Sequence, residues 1–220
     1  MSGGRVLFVG CGPGAPDLLT LRAVRALQSA DVVIWNATLL DRQALADLAR
    51  EESEVVEWPP ATQDDVFAVF DRALAEDLLV VRLKGGDPTL FGALEPELSA
   101  VVERGIAYEI VPGISALSGA AAALGREVAA RGAPLLLVDA RDLPGRARPE
   151  VIAAYGAGRA PRALEQALLD RGLPGSTPCA VAVEVARRDE MLLACRLDEL
   201  AETVADMGLG GMLTLVVAGF

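Results

Sequence analysis

The chain has 220 residues, of which 52% are apolar, and a formal net charge of −11 at pH 7. This length and apolar content suffice for one large or two small globular domains, and the negative charge argues against nucleic acid or an anionic membrane as a partner. Because no apolar run reaches the roughly 20 residues of a membrane helix, and the N-terminus lacks the basic and apolar regions of a signal peptide, we expect a cytoplasmic protein.

The content of metal-binding and nucleophilic residues narrows the chemistry. The chain has no histidine and only three cysteines, Cys11, Cys179 and Cys195, without metal-ligand spacing. This composition argues against a disulfide framework, a zinc site and acid–base catalysis by histidine. We therefore expect no metal cofactor.

The first 113 residues alternate between short apolar runs and segments with helical spacing of apolar residues. Such βα repetition predicts a mostly parallel sheet with helices on both faces. In chain order, the predicted elements are a strand at 5–10, a helix around 18–27, a strand at 31–35, a helix near 39–49, a strand at 54–57, a helix around 66–74, a strand ending at 84, a helix through 95–104 and a strand at 108–111.

After residue 113 the pattern changes. The predicted elements are a helix of small residues at 115–124, strands at 134–138 and 151–155 around an Arg/Gly/Pro-rich loop at 139–149, a helix at 162–171, two strands at 179–184 and 191–196, a helix at 197–207 and a strand at 212–218. The hairpin-like spacing of the strands at 179–184 and 191–196 indicates antiparallel pairing. We predict two α/β domains, residues 1–113 with a mostly parallel sheet and residues 114–220 with a mixed sheet.

The most informative stretch is KGGDP at residues 84–88, at the end of the fourth predicted strand. Its two glycines allow a ligand to approach the main chain, and ligands bind at this edge of open α/β sheets. Asp87 is suited to accept hydrogen bonds from a ligand. The alternative is an ordinary strand-to-helix turn in which Asp87 is the N-cap of the segment from Thr89 onward. Local sequence leaves both open.

A second glycine-rich loop, VGCGPG at residues 9–14, follows the first strand. Gly10, Gly12 and Ala15 formally match the relaxed dinucleotide-binding fingerprint. However, two prolines crowd this turn, and the next strand ends in Asn36 with no acid to bind a ribose. A nicotinamide dinucleotide is therefore a disfavoured ligand.

Arginines are concentrated in the middle of the chain. Residues 126–162 carry seven arginines against four acids, namely Arg126, Arg131, Arg141, Arg146, Arg148, Arg159 and Arg162. A solvated loop would explain them, and so would an anion-binding rim, since arginine suits carboxylates.

A third glycine-containing loop, VPGISA at residues 111–116, completes a set. In order and spacing, the three loops resemble those of the tetrapyrrole (corrin/porphyrin) methylase family, S-adenosylmethionine-dependent enzymes that methylate carbon atoms of uroporphyrinogen III and the precorrins. The resemblance covers essentially the whole chain. It implies a two-domain α/β enzyme, usually a homodimer, with S-adenosylmethionine in the cleft between the domains and a tetrapyrrole as small-molecule substrate.

The resemblance also implies site residues, position by position. The KGGDP stretch would cradle the methionine part of the donor, and late-strand residues would contact its adenosine. The residues implied to contact the donor are Pro13, Gly85, Gly86, Asp87, Leu90, Ser115, Ala116, Gly156, Ala186, Leu213 and Thr214. No side chain is assigned to a catalytic step, since methyl transfer from a sulfonium needs mainly in-line positioning and removal of water.

The chain departs from the family pattern at three places. A Tyr-Met donor contact appears here as Tyr155-Gly156, and the Tyr-Asp pair of uroporphyrinogen methylases appears as Trp35-Asn36. The family's Leu-Thr-His-Arg pattern reads VAAR at 128–131, which keeps only Arg131. The donor loop at residues 84–88 is thus retained, whereas one donor contact is lost and the acceptor side is altered.

These features leave the acceptor open. The KGGDP stretch is more similar to uroporphyrinogen-III enzymes, whereas FGALE at 91–95 and LGRE at 124–127 resemble precorrin-4 C-11 methyltransferases, which favours a precorrin-stage acceptor. Arg131 is the first candidate to bind an acceptor carboxylate. The alternatives are a non-catalytic paralogue that binds S-adenosylmethionine or a tetrapyrrole as a sensor or scaffold, and family branches acting on rRNA or on diphthamide.

Overall fold

The computed structural model describes residues 3–141, 151–209 and 214–219. The chain divides into two compact units, Met1–Ser115 and Ala116–Phe220. The described residues of each unit form one five-stranded sheet. Among the described residues, no helix combines the length and the apolar character that crossing a membrane requires.

The sheet of the first unit is entirely parallel, with strand order β3-β2-β4-β1-β5. Its strands are β1 (Arg5–Gly10), β2 (Val32–Trp35), β3 (Glu54–Glu57), β4 (Leu79–Lys84) and β5 (Ala107–Val111). The helices are α1 (Leu21–Ser29), α2 (Arg42–Leu48), α3 (Gln63–Glu76) and α4 (Glu95–Glu103). Helices α1 and α2 cover one face and α3 and α4 the other. The predicted parallel α/β architecture is confirmed.

The first helix begins later than its apolar spacing predicts. Residues Pro16–Leu18 form a short 3-10 turn, and α1 begins after Thr20, whose side chain accepts a hydrogen bond from the Ala23 N–H at 3.1 Å. The prolines of this loop remove N–H donors, and the threonine caps the helix. Leu18 therefore precedes the helix instead of starting it.

The sheet of the second unit is mixed, with strand order β6-β7-β10-β8-β9. Strands β6 and β7 are parallel, and every other pair is antiparallel. The strands are β6 (Leu135–Asp139), β7 (Val151–Tyr155), β8 (Pro178–Val183), β9 (Met191–Arg196) and β10 (Thr214–Ala218), and the helices are α5 (Ala116–Ala123), α6 (Pro161–Asp170) and α7 (Leu200–Asp206). Helices α6 and α7 pack on one face and α5 on the other. The mixed sheet was predicted, as was the β8–β9 hairpin.

A buried charge cluster ties the end of β4 to α4. Glu97 accepts from Lys84 Nζ at 2.8 Å and from Arg82 Nη2 and Nε at 3.0 and 3.1 Å. All three residues are at most 7% exposed, and the Arg82 guanidinium lies 4.9 Å from the centre of the Trp58 ring. Burial lowers the pKa of the Lys84 ammonium, against the attraction of Glu97. One carboxylate thus pairs with two cations, one of which, Lys84, is the first residue of the KGGDP stretch.

Replacing this carboxylate tests the cluster. We expect Glu97→Gln to lower the free energy of unfolding by about 3 kcal/mol, because two buried cations lose their counter-charge. Urea denaturation at pH 7 measures the change. Glu103→Gln, on the exposed end of the same helix, is the matched control and should change stability by less than about 0.5 kcal/mol. Equal unfolding midpoints for Glu97→Gln and the wild type would contradict the assignment.

Candidate functional site

Three glycine loops converge at the carboxyl edge of the first sheet. Because β4, β1 and β5 are adjacent parallel strands, the loops that follow them leave the sheet side by side. The first and second loops pair directly: the Gly86 N–H donates to the Gly12 carbonyl at 2.8 Å, and the Gly12 N–H donates to the Gly86 carbonyl at 3.2 Å. Two segments separated by more than 70 residues therefore form one backbone unit.

The contacts between these loops leave no room for side chains. A Cβ atom on Gly113 would lie 2.2 Å from the Gly86 carbonyl oxygen, and one on Gly10 would lie 2.6 Å from the same atom. Gly86 itself has φ +60°, a left-handed conformation that favours glycine. Glycine is thus required at these positions by the packing of one loop against another.

Asp87 connects the second loop to the third. Its Oδ1 accepts from the Thr89 N–H at 2.8 Å and from the Thr89 hydroxyl at 2.6 Å, and its Oδ2 accepts from the Gly113 N–H at 3.2 Å. Partial burial opposes ionisation, but these hydrogen bonds prevail and lower the pKa of Asp87. Since α4 begins only at Glu95, Asp87 is not a helix N-cap. Its carboxylate holds the two loops in register.

The surface beside the second loop is apolar. Leu90 is 37% exposed and Phe91 is 48% exposed. Phe91 and Ala93 have φ values of +56° and +46°, and a Cβ on the intervening Gly92 would lie 2.4 Å from the Pro88 carbonyl oxygen. Such strained backbone is typical of ligand-contacting loops. The predicted donor contacts include Leu90 but not Phe91, since local sequence gives no sign of its left-handed conformation.

The residues of the first unit that were predicted to contact S-adenosylmethionine lie around the carboxyl edge of the first sheet. Pro13 is buried within the first loop, and Gly85, Gly86 and Asp87 are half-buried. Ser115 ends the first unit, and Ala116 is the first residue of α5 in the second.

In the second unit, residues predicted to contact S-adenosylmethionine lie at one edge of the sheet. Gly156 follows the end of β7, and its N–H donates to the carbonyl of Thr214, the first residue of β10, at 2.9 Å. Thr214 pairs with Val183 at the end of β8, which leads to Ala186. Gly156, Ala186 and Thr214 thus share one edge, whereas Leu213 lies outside the described residues.

The loop after β8 is also strained. Glu184 and Ala186 have φ values of +46° and +58°, and the Ala186 N–H donates to Glu190 Oε2 at 2.6 Å. Left-handed conformations at two non-glycine residues are costly and persist where the surroundings impose them. This loop is therefore held in shape at the same edge as Gly156.

Arg131 lies at the other end of the strands of the second sheet, away from Gly156 and Thr214. It belongs to the segment between α5 and the amino end of β6. A cavity of about 420 Å³ lies under this segment, lined by Arg126, Glu127, Val128, Ala129, Ala130, Ala133, Val151 and Gly219. Val151 begins β7 and Gly219 follows β10, so the sheet separates this segment from Gly156 and Thr214. Of the other arginines, Arg146 and Arg148 lie outside the described residues.

Comparison with known proteins identifies a common family. Residues 5–201 match the family model of the tetrapyrrole (corrin/porphyrin) methylases. A precorrin-4 C(11)-methyltransferase of Rhodococcus erythropolis is 31% identical, and the match covers 96% of this chain and 90% of that protein. A siroheme synthase of Methylococcus capsulatus is 34% identical over 98% of this chain. The chain spans only about half (49%) of the length of that synthase.

A solved structure gives the same result. The uroporphyrin-III C-methyltransferase of Thermus thermophilus, in complex with S-adenyl homocysteine, superimposes with a TM-score of 0.81 at 29% identity. The match covers 98% of this chain and 97% of that structure. Fold and sequence therefore agree along nearly the full length of the chain.

Adding one methyl group to the third loop tests the loop packing. We expect Gly113→Ala to lower the free energy of unfolding by about 1–3 kcal/mol, because the Gly86 carbonyl must move. Urea denaturation measures it. Gly3→Ala is the control, since a Cβ there would meet nothing within 4 Å. If Gly113→Ala is as stable as Gly3→Ala, the close approach of the loops is wrong.

The role of Asp87 predicts a pH dependence. We expect Asp87→Asn to lose about 1 kcal/mol of stability at pH 7, because an amide NH₂ would face an N–H donor. Since the pKa of Asp87 is lowered in the folded state, its contribution is complete above the ordinary value of 3.8 and is lost as the pH falls through the lower folded pKa. The stability difference between wild type and variant should therefore shrink below about pH 4. A difference that stays constant from pH 7 to pH 3 would contradict this role.

Proposed function

The chain belongs to the family of S-adenosylmethionine-dependent tetrapyrrole (corrin/porphyrin) methylases, and we propose that it transfers the methyl group of S-adenosylmethionine to a carbon atom of a tetrapyrrole. The acceptor that we propose is precorrin-4 or a related precorrin in cobalamin biosynthesis, with uroporphyrinogen III as the alternative. We further propose that the enzyme acts in the cytoplasm as a homodimer.

The observation that carries this proposal is the convergence of the three glycine loops. The loops on which the family resemblance rests come together at the edge where open α/β sheets bind ligands. Their glycines are required by close backbone packing, and the second loop stays half-buried with apolar Leu90 beside it. A fixed, partly accessible main chain beside an apolar side chain suits a donor with a zwitterionic amino-acid part and a hydrophobic thioether chain.

We assign the binding roles accordingly. Gly85, Gly86 and Asp87, with Leu90, would hold the methionine part of the donor. Gly156, Ala186 and Thr214 would contact its adenosine. When bound, S-adenosylmethionine supplies an electrophilic methyl group on a positively charged sulfur. The residues around it would position the donor and exclude water, which are the main requirements of methyl transfer from a sulfonium.

The protein contributes little side-chain chemistry to this reaction. The chain has no histidine to act as base, so the proton of the methylated carbon would leave to water or to an acidic side chain. Asn36 stands where uroporphyrinogen methylases are expected to carry an acid, and its Oδ1 accepts from the Thr38 N–H and hydroxyl at 2.8 and 2.7 Å. That side chain therefore shapes the turn after β2. The electron-rich acceptor carbon would supply the nucleophile.

The precorrin-stage acceptor has support in the relatives. The Rhodococcus precorrin-4 C(11)-methyltransferase matches over 90% of its own length, so a chain of this size is sufficient for that activity in a relative. The uroporphyrin-III C-methyltransferase from Thermus thermophilus has similar identity and coverage. It supports uroporphyrinogen III as the alternative acceptor.

A non-catalytic paralogue is the alternative that the structure keeps relevant. Gly156 replaces the methionine of the family pattern, and a Cβ there would meet nothing within 4 Å. In the proposed donor site, the space that a thioether would fill at this position would therefore be open. The lost methionine, together with the altered acceptor side, is the reason to consider a protein that binds S-adenosylmethionine or a tetrapyrrole without turnover.

One pair of measurements distinguishes these functions. We expect purified protein to bind S-adenosylmethionine in calorimetric titration, and to transfer its labelled methyl group to precorrin-4, an earlier precorrin or uroporphyrinogen III. Protein heated until it unfolds provides the background for non-enzymatic transfer. Donor binding without transfer to any acceptor in the series would establish the non-catalytic function. Absence of both donor binding and transfer would refute the proposal.

A further inference from the structure

Arg159 lies at the end of a short turn, at the edge of the second sheet that carries Gly156 and Thr214. Residues Ala157–Arg159 form a 3-10 turn that begins directly after Gly156. Ala157 and Gly158 are buried, whereas Arg159 is exposed. The side chain therefore projects from a buried support beside the residues proposed to contact the donor.

The position of this turn is tightly constrained. A Cβ on Gly158 would lie 2.7 Å from Thr214 Oγ1 and 2.8 Å from the Leu209 carbonyl oxygen, so the turn packs against the start of β10 without space for a side chain. The Arg159 N–H donates to the Gly156 carbonyl at 3.1 Å. A rigid support of this kind reduces the cost of fixing a side chain on a ligand.

The carboxylate whose charge interacts with Arg159 already has another partner. The nearby carboxylate of Asp139 accepts from the Arg141 Nε at 2.8 Å and from the Arg141 backbone N–H at 2.9 Å. Hydrogen bonding from Arg141, with a smaller contribution from the charge of Arg159, lowers the pKa of Asp139 to about 2. Within residues 3–141, 151–209 and 214–219, Arg159 forms no ion pair.

Asp139, Arg141 and Arg159 together carry one net positive charge. One carboxylate faces two guanidinium groups and is already engaged by Arg141, which leaves one net positive charge on an exposed side chain. This local charge contrasts with the net charge of −11 for the whole chain. An anionic ligand approaching so acidic a protein needs a local cation to offset the general repulsion.

We propose that Arg159 binds a carboxylate of the tetrapyrrole acceptor and fixes the orientation of the ring against the donor. This assignment rests on the proposed function. Tetrapyrroles of this class carry up to eight carboxylates, and a guanidinium can bind a carboxylate through two parallel hydrogen bonds. Arg159 lies on the same sheet edge as Gly156 and Thr214, so a carboxylate bound there would place the ring near the donor.

The assignment replaces Arg131, the residue favoured by the sequence pattern. Arg131 lies before the amino end of β6, across the length of the second sheet from Gly156. Strands β6 and β7 each have five residues, which corresponds to about 15 Å between the two edges. Arg159 is three residues from Gly156 and needs no such span.

A binding titration tests this role without requiring turnover. The probe is uroporphyrin III, a fluorescent octacarboxylate, titrated into protein saturated with S-adenosylhomocysteine. We expect Arg159→Gln to raise the Kd of the porphyrin about tenfold, which corresponds to about 1.4 kcal/mol. The Kd of S-adenosylhomocysteine, measured separately, should stay within about twofold. Arg159→Lys should weaken porphyrin binding less than Arg159→Gln, since it keeps the charge but not the planar donor pair.

Two matched variants control for general loss of positive charge. Arg162→Gln removes an exposed arginine from the next helix, three residues along the chain. Arg131→Gln removes the residue that the sequence pattern favours. Both should keep the porphyrin Kd within about twofold of the wild type. The assignment of Arg159 would be overturned if Arg159→Gln bound porphyrin as tightly as Arg162→Gln does, or if only Arg131→Gln weakened porphyrin binding. Either result would leave the proposed function intact. If the wild type binds S-adenosylhomocysteine but no porphyrin, the assignment and the tetrapyrrole acceptor both fail.

Discussion

The close approach of three backbone segments, at Gly10, Gly86 and Gly113, is the constraint on which the site of the first unit depends. Adjacent parallel strands bring the three loops to one edge, but they pack together only because no Cβ atom separates them. The paired amides of Gly12 and Gly86 then make two distant segments a single structure. The glycines noted in the sequence thus allow the loops to pack closely against one another. This packing fixes the shape of the loop proposed to bind the ligand.

Two sets of polar contacts hold this packed edge in place. Glu97 on α4 binds both cations of β4, Arg82 and Lys84, so the strand cannot shift along α4 without separating buried charges. Asp87 joins the second loop to the third through the Gly113 N–H. The apolar residues that follow, Leu90 and Phe91, are exposed on a strained segment. A rigid polar base with an apolar rim is an arrangement suited to positioning a reactant and excluding water.

The sequence predicted the architecture well because apolar periodicity reports strand and helix faces directly. The alternation of β and α elements predicted the parallel sheet, and the spacing around residues 184–191 predicted the β8–β9 hairpin. The role of Asp87 could not be foreseen, since its partner Gly113 is 26 residues away. The distance of Arg131 from Gly156 could not be predicted either. It depends on the direction of β6 and β7 in the sheet, which decides at which end of the strands the segment before β6 lies. The start of α1 was misplaced because the prolines before it favour a 3-10 turn.

The donor contacts proposed for the two units have a common direct test, a crystal structure of the protein bound to S-adenosylhomocysteine. We expect electron density for the amino-acid part of the ligand against Gly85, Gly86 and Asp87, with the backbone pairing of Gly12 and Gly86 unchanged. We also expect adenosine density beside Gly156 and Thr214. Density for the ligand away from the second glycine loop, or a loop rearranged so that Gly12 and Gly86 separate, would show that close glycine packing does not build the donor site.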